Sequence, residues 1–126
     1  MCTYTGSQSV AIGCYAMSYA TGGDCNVAIG SVALQDNTTG TNNVALGVGS
    51  LTNNTTGSYN AAIGSSALRN NTTGNYNFAV GYLALCSNTT GSYNVAFGRL
   101  ALRDTTSGHN IGLGCNALLS NTSGQG

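Results

Sequence analysis

Residues 57–64 read GSYNAAIG, and residues 91–98 read GSYNVAFG, 34 positions further on. The phrase also returns at half that distance, as GTNNVALG (40–47) and GNYNFAVG (74–81). Gly6, Gly23, Gly40, Gly57, Gly74, Gly91 and Gly108 fall 17 residues apart without exception. Gly13, Gly30, Gly47, Gly64, Gly81 and Gly98 keep the same interval, and Gly114 comes one residue early. A short fixed period of this kind marks stacked repeats, each a single structural unit.

One unit can be numbered from Asn26 (position 1) to Asn42 (position 17). Position 2 is Val10, Val27, Val44, Ala61, Phe78, Val95 and Ile111; position 4 is Ile12, Ile29, Leu46, Ile63, Val80, Phe97 and Leu113. Alternation of β-branched and aromatic residues with a period of two predicts a short strand over positions 2 to 4, ended by the glycine at position 5. A second strand is expected over positions 7 to 9, where a small residue precedes Met17 or a leucine. The NTTG at positions 12 to 15 is turn chemistry: Asn bonds the backbone through its side chain and Gly supplies positive φ. Strands one unit apart are then parallel and about 4.8 Å apart. The fold expected is all-β, a parallel β-solenoid of about seven 17-residue coils, with full coils over 9–124 in a single domain spanning 1–126.

Such a stack sets identical positions on one another. Asn26, Asn43, Asn60, Asn77, Asn94 and Asn110 are expected to form an amide ladder, and Tyr59, Tyr76 and Tyr93 an aromatic one. If positions 2 and 4 face the coil interior, position 3 faces outward as a column of Ala11, Ala28, Ala45, Ala62, Ala79 and Ala96, with Gly112 in the seventh coil. A strand apolar on both faces is usually covered on both. The Ala column is therefore the expected oligomer interface, its small side chains allowing a second backbone to approach.

Composition narrows the function. The 126 residues carry three basic and three acidic side chains and no formal net charge. Nucleic acid is not an expected partner, because phosphate binding needs clustered Lys and Arg. The apolar runs are far shorter than the ~20 residues of a spanning helix, so no membrane insertion is expected. MCTYTGSQ at the start has neither a basic nor an apolar signal region. Met1 falls at position 10 and Gly126 at position 17, with no atypical capping unit, so the chain is expected to be a segment of a longer fibre or a unit that stacks end to end.

SVAIG (9–13) and NVAIG (26–30) resemble the head repeat of the YadA-like trimeric autotransporter adhesins, and SNTTGSYNVAFGRLAL (87–102) is similar to repeat arrays of phage and virus tail fibres. The resemblance covers essentially the whole chain. It implies a left-handed parallel β-roll, three copies packed into a rod, and display at a cell surface or on a virion. The family repeat is shorter, and the extra residues here fall in the NTTG turn.

Chemistry is sparse. No cofactor and no metal site are expected, and the chain does not read as an enzyme. His109, placed at position 16, and Cys115, at position 6, have no acid to orient an imidazole for nucleophilic attack. GVG (47–49) and GLG (112–114) lack phosphate-loop spacing. Cys2, Cys14, Cys25, Cys86 and Cys115 are odd in number and include no CxxC pair. Cys14 and Cys115 share a column six coils apart, beyond the ~7 Å reach of a disulfide. The NTT triplets at 37–39, 54–56, 71–73 and 88–90, with NTS at 121–123, match the glycosylation acceptor pattern. Turn formation accounts for their spacing and is preferred.

The leading functional expectation is a structural and adhesive module outside the cell, a rod that attaches to a cell-surface glycan or protein receptor. Its surface would include Tyr59, Tyr76 and Tyr93 with Thr38, Thr55, Thr72 and Thr89. The alternatives are ice binding through stacked Thr columns, joined by Thr39, Thr56, Thr73 and Thr90, and a self-stacking filament subunit.

Overall fold

The computed structural model describes residues 7–122. Seven three-residue strands run through it: β1 Val10–Ile12, β2 Val27–Ile29, β3 Val44–Leu46, β4 Ala61–Ile63, β5 Phe78–Val80, β6 Val95–Phe97 and β7 Ile111–Leu113. They form one sheet in sequence order, every neighbouring pair parallel. The register is that of the repeat, with Val10 opposite Val27, Ala45 opposite Ala62 and Phe97 opposite Leu113. The chain is a β-solenoid of about six turns. Each strand stops at its glycine because position 5 takes φ near +130°, as at Gly47. A Cβ there would also lie 2.7 Å from the carbonyl carbon of Gly64 in the next coil. Only glycine meets both demands.

The expected second strand is absent. Positions 6 to 11 form overlapping turns in every coil. Positions 7 and 9 both take left-handed φ, as at Leu83 (56°) and Leu85 (52°), and position 17 does too, as at Tyr76 (56°). Alternating handedness lets two successive side chains, such as Ala84 and Leu85, both point inward, and both are fully buried. A strand would send them to opposite faces. Coil-to-coil hydrogen bonds nevertheless continue through the turns: the amide of Leu34 donates to the carbonyl of Ser50 at 3.0 Å, and that of Leu68 to Ala84 at 2.9 Å.

The interior is thin and inverts the expected facing of the strand. Ala28, Ala45, Ala62, Ala79 and Ala96 are fully buried, so they do not form an outward interface, whereas Ala11 in β1 is exposed. The reason is the space opposite them. The Leu column of position 9 fills the narrow interior, and a Cβ added at Gly112 would stand 2.8 Å from Cγ of Leu102. That gap takes a methyl group at most, as at Ala28 to Ala96, and at Gly112 not even that. Valine and isoleucine are consequently turned outward.

Candidate interaction surface

Two amide columns hold the interior edges. In the first, the backbone amides of Asn43, Asn60, Asn77, Asn94 and Asn110 each donate to Oδ1 of the preceding Asn, at 2.9–3.0 Å. The second, not foreseen as a ladder, consists of Asn37, Asn54, Asn71 and Asn88 in the NTT triplets. Their Nδ2 groups donate to the preceding Oδ1 at 2.9, 2.8 and 3.0 Å. Both columns converge on the turn glycine, since the Gly57 carbonyl accepts from Nδ2 of Asn43 and of Asn54, each at 2.8 Å. Members of both columns are buried, which leaves these four sequon nitrogens no access to a glycan donor. Ser123, which completes the last sequon, lies outside the described residues.

The outward surface has three notable columns. Positions 2 and 4 carry apolar side chains along the whole sheet; Ile29 is 40% exposed, Phe78 42% and Phe97 55%. Position 17 carries the aromatic stack. Tyr59 and Tyr76 stand 5.0 Å apart with planes 3° off parallel, and Tyr76 and Tyr93 5.1 Å apart at 7°. Each ring covers its neighbour's face, so the half-exposed surface that remains is hydroxyl-bearing edge. His109 extends this stack. It occupies position 17, not 16, because its amide donates to the carbonyl of Ser92 just as Tyr93 donates to Asn75. The sixth coil is one residue short in its turn, and Ser107 takes the place that glycine holds elsewhere, under the Nδ2 of Asn94. The constant glycine spacing had hidden this shift.

The Thr columns are differently committed. Thr38, Thr55 and Thr72 donate their hydroxyls to the carbonyls of Thr55, Thr72 and Thr89 at 2.8–3.0 Å, so position 13 spends its donors on the backbone. Thr39, Thr56, Thr73 and Thr90 at position 14 are exposed. Cys14, Cys25 and Cys115 are exposed free thiols and Cys86 a half-buried one; Cys2 lies outside the described residues. Burial pushes the Cys86 thiol above its ordinary value, against the pull of Arg69 and Arg103. Arg103 pairs with its neighbour Asp104 at 2.7 Å. Among the described residues no three His, Cys, Asp or Glu side chains group as a metal site would require, and no helix is long and apolar enough to cross a membrane. A cavity of about 150 Å³ meets Ser9, Ala11, Ala16 and Met17, the inward positions of the first described coil, and is the end of the core itself.

No protein-family model, curated protein or solved structure matches this chain.

Proposed function

We propose that the chain is a structural and adhesive fibre module: a rigid rod of three copies, packed through the outward columns of positions 2 and 4, that attaches to a glycan or protein receptor outside the cell. One observation carries this reading, the unbroken apolar face from Val10 and Ile12 to Ile111 and Leu113. Soluble monomers rarely leave a contiguous apolar patch of that extent uncovered. A parallel sheet apolar on both faces is usually covered on both. The interior supplies one cover, and further copies of the chain supply the other. Three is the number implied by the likeness of NVAIG (26–30) to adhesin head repeats. The interface therefore moves from the Ala column to the Val and Ile columns beside it.

Light scattering on a sizing column under reducing conditions tests the assembly. Three chains are expected, and a variant with Ile29→Asn, Ile63→Asn and Phe97→Asn should be monomeric with an unchanged far-ultraviolet spectrum. A monomeric wild-type chain would overturn the proposed packing. Binding of the trimer to immobilised glycans and to intact cells tests the adhesive part separately.

A further inference from the structure

The turns of successive coils are tied together by one recurring set of bonds. The amides of Thr38, Thr39 and Gly40 donate to the carbonyl of Thr55; those of Thr55, Thr56 and Gly57 donate to Thr72; those of Thr72 and Thr73 donate to Thr89. Threonine hydroxyls and the second Asn column repeat the same links. Among the described residues, none of these bonds recurs between the fifth and sixth coils. The sixth coil has Thr105 where the Asn column requires an amide, and the turn behind it is short by one residue. Asn88 Oδ1 and Thr105 Oγ1 are both buried and both lack a hydrogen-bond partner. The other side of the same junction is intact. Phe78 donates to Asn94 at 2.8 Å, Gly98 to Val80 at 2.8 Å and Leu100 to Tyr82 at 2.9 Å.

We propose that this junction is an opening seam: the sixth and seventh coils part from the fifth on the turn side, between Asn88 and Thr105, while β5 and β6 stay paired as the hinge. Opening hydrates the two orphaned oxygens, so it recovers a desolvation penalty that closure imposes. On the turn side it breaks the amide bonds from Ser87 to Arg103 and from His109 to Ser92 and parts the Tyr93–His109 stack, but none of the recurring set, which is absent there. The motion bends the solenoid at one defined place. It is a property of the single chain and does not depend on how copies assemble.

Amide exchange on the intact protein tests the seam at equivalent bonded amides. Ser87 donates across it to Arg103 at 2.9 Å, as Asn53 does to Arg69 at 3.0 Å in a regular junction. In the wild type the Ser87 amide should exchange at least about fivefold faster than that of Asn53, since local opening sets the rate. Thr105→Asn supplies the missing amide and should bring Ser87 to the rate of Asn53. Thr105→Val removes one orphaned oxygen but offers Asn88 no donor, so Ser87 should stay fast. Equal wild-type rates would overturn the seam, as would equal slowing by the Asn and Val variants. Should Thr105→Asn not fold, the wild-type and Val profiles alone decide.

Discussion

The imidazole of His109 stacks on the ring of Tyr93, centroids 5.1 Å apart and planes 20° from parallel. The shortened coil therefore keeps its aromatic register while giving up its turn register. Stacking within this column should be measurable ring by ring. Tyr76 has two aromatic neighbours and Tyr59 one. Asn42 already occupies position 17 with the same backbone, at φ 57°. Tyr76→Asn should accordingly lose two stacks at about 0.5–1.5 kcal/mol each. Tyr59→Asn should lose about half as much by chemical denaturation.

The buried amide columns should be the most sensitive polar positions. Asn71→Ala strands Oδ1 of Asn54 and removes one of the two donors on the Gly74 carbonyl. An orphaned buried group costs about 1–3 kcal/mol, so the variant should lose about 2–4 kcal/mol in all. Asn71→Asp should be no better, because it buries a charge and removes both donors. A loss below 1 kcal/mol for both variants would mean that the ladder contributes little.

The inside and the outside of the strand should separate by substitution. Ala62→Val overfills the interior and should cost about 1–3 kcal/mol. Ile63→Thr, one residue on, trims an outward side chain that is 37% exposed. It should barely change the unfolding midpoint of the isolated chain while weakening association. A reversed pattern would return the Ala column to the surface.

The sequons should behave as alternatives to folding. Asn37, Asn54, Asn71 and Asn88 have no exposed surface, and each Nδ2 donates to its turn glycine at 2.9, 2.8, 3.0 and 2.9 Å. In a glycosylating secretory host, the protease-resistant fraction should carry no glycan at these four sites. Any glycosylated fraction should be protease-sensitive. Mass spectrometry of the two fractions checks this, and a resistant fraction glycosylated at Asn54 would contradict the burial.

Stability should be flat across a wide pH range, because few groups titrate. Hydrogen bonds from the Ser7 amide and hydroxyl hold Asp24 below its ordinary 3.8, and the Arg103 guanidinium holds Asp104 below it as well. A lowered carboxylate stabilises the fold above 3.8, and that contribution fades as pH falls through the folded value. Cys86 is raised above 9.0, mainly by burial. A thiol with a raised folded value keeps its full contribution below 9.0 and loses it as pH rises further. Thermal midpoints should thus be level between about pH 5 and 8 and drop on both sides. Cys86→Ser should lessen the alkaline drop.

Much of this architecture is legible in the residues. The period, the strand at positions 2 to 4 and the glycine stop were all readable, because each follows from a local rule about φ or alternation. The facing of the strand was readable as well, and was missed. Asn at position 1 and Ala at position 3 share a face under a period of two. An amide ladder that stabilises must be buried, so the Ala column had to be buried with it. The absent second strand had a signal in the small residue followed by Leu34, Leu51 or Leu68, since two successive inward residues break alternation. What could not be read was the left-handed backbone at these leucines. Nothing in a leucine side chain favours positive φ, and only the close fit of neighbouring coils holds it there. The displaced turn around Ser107 was concealed because Gly108 still lies 17 residues beyond Gly91.

That left-handed backbone bears on how the chain reaches its structure. A single coil asks two or three non-glycine residues to adopt a conformation costing on the order of 1–2 kcal/mol apiece. It returns little until another coil lies against it, since the amides at positions 7, 9 and 17 all bond to adjacent coils. No coil can therefore serve as its own nucleus. Order has to spread from a first pair of stacked coils, each finished turn acting as the mould for the next. The rate of that spreading, rather than the collapse of a central core, should set the folding time.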